Sequence, residues 1–374
     1  MTRMDVCVDV QPAVAQRAGV GRYTHQLVLH LAAASPADRL ALFYFDYRRR
    51  GLPFRVEGVA ERAVRWCPGR AMQWAWKTLG APAFERLAGP ADVYHFTNFI
   101  IPPMRRGRAV VSIHDMSFLR HPEFAEERNL RHLRARIGAT AHRAAAIVTI
   151  SRFSAAEIAE LLNVDPARIH VIYPGIAETF QPPPPGRVDA VRHALGLQTP
   201  YLLTVGTLEP RKNVEFLVDV FERMPGYAGQ LVVAGMPGWK YEATRERMRT
   251  SPRAADIRYL QYVADDDLPA LYAGADAFLV ASHYEGFGFP PVEAMACGTP
   301  VVSSTGGSLA EVLGDAAVVI PEYDAERWAS ETLALLSDTA RRCRLAEAGR
   351  RQAAQYTWQS AARQHWDVYR KAAS

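Results

Sequence analysis

The sequence predicts an α/β protein of two doubly wound domains, each a parallel sheet with helices on both faces. Short apolar runs alternate with segments of 3.6-residue period, the pattern of buried parallel strands joined by amphipathic helices. The alternation is broken at "FQPPPPGR" (180–187), whose four successive prolines fit neither a helix nor a central strand and form a stiff extended connector. At 374 residues the chain is also longer than one core ordinarily supports.

Ahead of the prolines, apolar runs predict strands at 5–10, 40–45, 93–96, 109–113, 146–150 and 170–173. Helical patterns fall between several of them, at about 21–34, 126–142 and 154–162. In "SRFS", Ser151 or Ser154 suits a helix N-cap better than a nucleophile. The opening "MTRMDVCVDV" reads as a buried strand, without the long apolar segment and cleavage site of a signal peptide. Beyond the prolines the same grammar restarts. Strands are predicted at 201–205, 230–234, 257–260, 277–280, 301–303 and 317–320, with helices at about 214–224, 266–273, 291–296 and 309–313. Asp265–Asp267 reads as a helix cap before "LPALYAGA", not as a metal motif. The tail beyond Ala325 reads as two or three more helices.

Composition narrows the function classes. Apolar content of 49% and charged content of 22% describe a globular chain, and no run reaches the 18 apolar residues of a membrane span. Cys7, Cys67, Cys297 and Cys343 are scattered without a C-x-x-C pair, which predicts reduced thiols in a cytoplasmic protein. The net charge of +5 suits a phosphate-bearing ligand or an anionic membrane surface, and no basic, aromatic run points to nucleic acid. Of the 44 basic residues only Lys77, Lys212, Lys240 and Lys371 are lysines, the mark of a coding bias towards arginine.

In open α/β sheets ligands bind beyond the carboxyl ends of the strands. Here every concentration of glycine and polar residues follows a strand. Gly19-Val20-Gly21 comes after the first, His114-Asp115 after "VVSI", "GTLEPRKN" (206–213) after "YLLTV", and "SHYEGFGFPP" after "AFLVA". Loops gathered at one end of each sheet predict two surfaces facing across a cleft. Arg211 and Lys212, side by side at a predicted helix start, form an anion site: a planar fork and a point charge beside free N–H groups. In "EGFGFPPVEAMA", Glu285 lies in the loop. Pro290 and Pro291 suit first helical positions, which puts Glu293 in the first turn, where the helix dipole favours an acid. Functionally, the two oxygens of Glu293 accept from a vicinal diol such as a ribose, while Glu285 reaches another hydroxylated group. Gly286 and Gly288 let backbone N–H groups approach closely.

This arrangement resembles the E-x7-E signature of retaining glycosyltransferases of family 4, which have the GT-B fold of two Rossmann-like domains. "EGFGFPPVEAMACGTPVV" is similar to the family's donor-binding segment, and "VGTLEPRKN", "DDDLPALYAGADAFLVAS", "GVGRYT", "IHD" and "VTISRFSAAEI" to further family segments in the expected order. The resemblance implies transfer of a sugar from a nucleotide diphosphate sugar to an acceptor hydroxyl with retention, without metal or other cofactor. Its version here looks like bacterial polysaccharide mannosyltransferases, which implies GDP-mannose as donor and a saccharide or lipid-linked saccharide as acceptor.

By the same resemblance Glu285 holds the donor sugar, Glu293 the ribose, and Arg211 with Lys212 the diphosphate. Backbone at Gly206, Thr207 and Gly286-Phe287-Gly288-Phe289 supports phosphates and sugar, Tyr262 and Val263 flank the base, Gly19 and Gly21 approach the phosphates, and His114 lies near the reacting sugar. Many members carry arginine directly after "VG", where this chain has Thr207; Arg211 is then the substitute charge. Residues 1–182 make the acceptor-side domain, with a last helix at about 356–374 crossing back to it, and residues 187–355 the donor-side domain.

Other readings are weaker. "GVGRYT" lies eight residues beyond the first strand and lacks the third glycine of a dinucleotide fingerprint. A UDP- or dTDP-sugar donor, or a catalytically silent sugar-nucleotide binder in a polysaccharide assembly complex, would keep the same motifs. "AMQWAWKTLG" (71–80) and "IIPPMRRGR" (100–108) together predict a basic, aromatic surface for peripheral contact with the inner face of the cytoplasmic membrane.

Overall fold

The computed structural model describes residues 3–16, 19–35 and 37–374. Among these described residues thirteen strands form two sheets, all their pairings parallel. The first contains β1 (Asp5–Asp9), β2 (Arg39–Phe45), β3 (Ala60–Val64), β4 (Val93–Phe96), β5 (Arg108–Ser112), β6 (Ala146–Thr149) and β7 (Ile169–Val171), in the order β3-β2-β1-β4-β5-β6-β7. The second contains β8 (Tyr201–Val205), β9 (Gln230–Ala234), β10 (Ile257–Leu260), β11 (Ala277–Val280), β12 (Val301–Ser303) and β13 (Val318–Val319), in the order β10-β9-β8-β11-β12-β13. Each order reverses direction once, between β1 and β4 and between β8 and β11. These are the switch points at which loops diverge and a ligand finds room.

The expected strands all form, to within a residue or two at their ends. β3 had no sequence signal because it is an edge strand that carries Glu61 and Arg62 in place of an apolar run. The helix expected over 126–142 is two, Glu127–Arg134 and Ile137–Arg143, parted at Arg136, whose φ of −130° is not helical. Ser151 caps the helix Arg152–Leu162 by accepting from the Ser154 N–H at 3.1 Å, as its position predicts. The cap expected from Asp265–Asp267 does not form. Asp267 makes no cap hydrogen bond and is paired with Arg187 at 2.5 Å instead.

The chain divides into two compact units: 1–120 with 127–175 and 357–374, and 121–126 with 176–356. The division falls at Gly175–Ile176, ahead of the prolines, because Phe180 is already buried in the second unit with its ring 5.9 Å from that of Tyr272. In that unit the helix Val214–Glu222 sets Val214, Leu217, Val218 and Phe221 against Leu202, Leu231 and Val233 of the sheet. Each buried apolar side chain contributes about 2 kcal/mol. In the first unit the C-terminal helix Trp358–Ala373 returns to bury Trp366 and Tyr369, the Trp366 indole donating to the Leu31 carbonyl at 3.0 Å.

Candidate active site

The loops after β8 and β11, the two strands flanking the second switch point, bring three expected residues into contact. Glu285 accepts from Lys212 Nζ at 2.6 Å, from Arg211 Nη1 at 2.9 Å and from Ser282 Oγ at 2.6 Å. Burial pushes the Glu285 carboxyl up, but the charges of Lys212 and Arg211, with hydrogen bonds from Lys212 and Ser282, outweigh it and hold the group at about 2. Glu285 is therefore ionised across the physiological range. Lys212, Ser282 and Glu285 share the wall of a small cavity with Gly206, Pro290 and Pro291.

Local backbone explains how the cations arrive there. Gly206 has a φ of 155°, and a Cβ on it would stand 3.3 Å from Lys212 Cε, so glycine lets the lysine cross its own loop. The loop continues the sheet beyond β8 and β9: Leu208 N–H donates to the Met236 carbonyl and Gly238 N–H to that of Leu208. Asn213 closes the turn at a φ of 52°, a left-handed geometry asparagine tolerates. Arg211 and Lys212 lie on a short 3₁₀ turn, Pro210–Lys212, ahead of the helix that begins at Val214, not within it.

Two layers around the cluster were not among the site residues the sequence predicts. Glu209 is buried and accepts from Arg211 Nη2 at 2.5 Å, while Arg211 Nη1 also donates to the Tyr284 carbonyl at 2.5 Å. Two buried carboxylates thus face two cations. The loop 304–308 wraps the backbone of Glu285: Ser308 donates to the Glu285 carbonyl from N at 2.9 Å and from Oγ at 3.1 Å, and Ser304 Oγ donates to the Ser282 carbonyl at 2.7 Å. A Cβ on Gly306 would come within 2.0 Å of the Ser282 oxygen, and one on Gly307 within 2.3 Å of the Glu285 oxygen. "STGGS" was visible as a glycine loop after a strand. Its target lies 22 to 24 residues upstream, a distance only the fold closes.

Glu293 is not in the first turn. Its helix begins at Phe289, one residue ahead of Pro290, which makes Glu293 the fifth helical residue. It is buried and accepts from the Tyr272 hydroxyl at 2.9 Å. Gly286 and Gly288 are buried, and Gly288 has a φ of 89° with Leu309 directly beside it. Phe287 is a core residue, its ring 5.1 Å from those of Phe289 and Tyr356. Thr207 lies in the β8 loop against Gly238. After edge strand β10, Tyr262 is 68% exposed and Val263 buried.

In the first unit, Gly19 precedes the helix Val20–Ala34 with a φ of 56°. A Cβ on Gly21 would fall 1.9 Å from the Gln16 oxygen, so the helix start is packed hard against the preceding loop. His114, directly after β5, is buried. Its Nε2–H donates to the Thr97 carbonyl at 2.9 Å, which leaves Nδ1 with the lone pair. Burial lowers its pKa, against the Thr97 hydrogen bond and the charge of Asp115, so the ring is neutral. Tyr23 meets it edge-on at 4.7 Å, and Phe99, 5.7 Å away, holds a strained φ of 57°.

Comparison with known proteins bears on both units. Residues 17–180 match the family described as Glycosyltransferase Family 4, and residues 189–352 that described as Glycosyl transferases group 1. The chain is 32% identical to O-antigen chain mannosyltransferase B of Escherichia coli, over 98% of this chain and 100% of that one. It is 35% identical to D-inositol 3-phosphate glycosyltransferase of Xylanimonas cellulosilytica, over 61% of this chain and 57% of the relative. Among solved structures, sucrose-phosphate synthase of Thermosynechococcus elongatus superposes with a TM-score of 0.78 at 20% identity, covering 98% of both chains. Anabaena HepE in complex with UDP and glucose follows at 0.73 and 18%, again over 98% of both.

Proposed function

The chain belongs to the family 4 glycosyltransferases, of GT-B fold, and from that premise we propose that it moves mannose from GDP-mannose onto an acceptor hydroxyl, with retention and without metal. The acceptor in this reading is a growing polysaccharide on a lipid carrier, reached from the cytoplasmic side. One observation carries the reading: half-buried Arg211 and Lys212 meet buried Glu285 in a single cluster at the switch point of the second sheet. The sugar and acceptor assignment draws on the full-length E. coli relative.

The chemistry follows from the charges. As the bond from the anomeric carbon to the β-phosphate oxygen breaks, negative charge grows on the departing diphosphate. Arg211 and Lys212 stabilise that charge, the largest kind of catalytic contribution. An ionised carboxylate has about four acceptor positions. Three at Glu285 are taken by Arg211, Lys212 and Ser282, which leaves one for a sugar hydroxyl. The acceptor hydroxyl adds on the face the diphosphate leaves and passes its proton to a diphosphate oxygen, releasing GDP. In this scheme Glu293 holds the ribose and His114 acts beside the sugar.

A panel of GDP-mannose, UDP-glucose, UDP-N-acetylglucosamine and dTDP-rhamnose, read by thermal shift and donor hydrolysis, tests the proposal. GDP-mannose should give the largest shift, since bound ligand adds stability with the logarithm of its concentration. Hydrolysis should survive chelator, vanish in Glu285→Ala, and release mannose whose anomeric configuration matches the donor. Inverted product, or chelator-sensitive activity, refutes the scheme. A larger shift with UDP-glucose supports the second reading, which the UDP-glucose complex of Anabaena HepE favours. Donor binding that leaves no turnover, in wild type as in Glu285→Ala, would make the chain a binder.

A further inference from the structure

The stretch 47–79 concentrates two properties that a water-facing surface normally disperses. It contains eight arginines and lysines against two glutamates, more excess positive charge than the whole chain's +5. It also supplies four of the eight large hydrophobic residues most exposed among those described: Tyr47 at 56%, Trp66 at 68%, Trp74 at 62% and Leu79 at 68%. Exposed tryptophan among arginines is poorly explained by solubility and well explained by a partner that is anionic at its surface and apolar beneath.

The fold brings these residues to one place. β2 and β3 are paired neighbours at the sheet edge, with Phe45 opposite Val64. Tyr47 and Arg48 to Arg50 leave the carboxyl end of β2, and Trp66 leaves the carboxyl end of β3. The helix Gly69–Thr78 then lies against the end of β2: a Cβ on Gly69 would be 3.1 Å from the Phe45 ring, and the Trp76 ring is 5.9 Å from it. Met72 is buried beneath the helix, and Trp76 donates to the Pro82 carbonyl. The outer face carries Arg70, Trp74 and Lys77 at helical spacing, all exposed.

The structure also divides the basic, aromatic surface expected from the sequence. Arg105 and Arg106 precede β5 and so lie at the amino end of the parallel sheet, whereas Trp66 follows β3 at the carboxyl end. Trp76 faces the core. We propose that Tyr47, Trp66, Trp74 and Leu79, set among Arg48 to Arg50, Arg70 and Lys77, dock this unit on an anionic lipid bilayer, the rings entering the interface and the cations meeting phosphate headgroups. His114 follows β5 at the same carboxyl end, three strand spacings from β2, about 15 Å. A lipid-linked acceptor held at that edge is within reach of the loop that carries His114. The docking goes beyond the transfer reaction and holds whichever nucleotide sugar is the donor.

Co-sedimentation of the full-length protein with vesicles of phosphatidylcholine, with and without phosphatidylglycerol, tests this. Wild type should pellet with the phosphatidylglycerol vesicles at low salt and be released as salt is raised. Arg48→Gln with Arg49→Gln and Arg50→Gln should weaken partitioning about a hundredfold, because three cations no longer meet headgroup phosphates. Trp66→Ser with Trp74→Ser should weaken it by at least about tenfold through reduced interfacial burial. Both variants should retain wild-type donor hydrolysis in solution, which certifies their fold and keeps this test separate from that of the reaction. The proposal is overturned if wild type stays in the supernatant, if the variants pellet like wild type, or if Arg105→Gln with Arg106→Gln reduces partitioning as much. Concentration-dependent dimerisation abolished by the tryptophan pair, without vesicle binding, would assign the patch to a second copy of the chain and likewise overturn it.

Discussion

Arg211 and Lys212 are held by the buried carboxylates of Glu209 and Glu285, and that sets what substitution does. Glu285→Gln leaves two largely buried cations with one fewer anion, a loss of about 3 kcal/mol in unfolding free energy by denaturant titration. Inorganic pyrophosphate should restore part of it, because it supplies the missing charge; no restoration would mean the cations do not face the phosphate site. Glu209 touches Arg211 and, in the proposed reaction, positions it. Glu209→Gln should lower kcat by about tenfold with little change in donor KM, since the guanidinium stays but loses the anchor on its far side. An unchanged kcat would remove Glu209 from the machinery.

Among elements, the loops matter more than the helices they join. The loop 304–308 determines where Glu285 stands, through two bonds to its carbonyl, Gly307 pressed against its backbone and Gly306 against that of Ser282 and His283. Gly306→Ala puts a methyl 2.0 Å from the Ser282 carbonyl oxygen, which cannot move without moving Ser282 and Glu285. Activity should fall at least about a hundredfold, as misplacement by an ångström implies, with a lowered Tm. Full activity in that variant would show the loop to be compliant. The helix Gly69–Thr78 shows a different limit of sequence reading. Its period places Arg70, Trp74 and Lys77 on one face, but which tryptophan is covered depends on Phe45 and Phe84, brought over it by the sheet.

On the scale of the whole molecule the two units respond to acid differently. The first contains three buried, neutral histidines joined by hydrogen bonds: His95 to Tyr369 and Ser112, His365 to Tyr23, and His114 to the Thr97 carbonyl. Burial lowers each, His365 to about 4 against 6.5 for a free ring. The unfolded chain takes up these protons first, so this stability is complete above pH 6.5 and declines as pH falls towards 4, by on the order of 3 kcal/mol from His365 alone. Glu285 has the carboxylate sign: its stabilisation is present above about 4.5 and lost as pH falls towards 2. As pH falls from 6.5 to about 4.5, before the Glu285 window opens, hydrogen exchange should show β4 and β5 losing amide protection before β8 and β11. Simultaneous loss, or the reverse order, would contradict the assignment.

Alternation of apolar runs with helical periods, the placing of glycines after strands and the family itself were determined by sequence alone. Each rests on neighbours a few residues apart, and a buried strand needs no partner to be recognised as one. Edge strand β3 escaped notice because half of it faces water. Only the tertiary structure decided that Glu285 meets cations more than 70 residues away, that Glu293 lies under the Tyr272 hydroxyl, that Glu209 backs Arg211, and that Trp74 rather than Trp76 faces water. Those outcomes depend on strand order, and strand order is settled by which sheets bury the most apolar surface, a property of the whole chain that no local window contains.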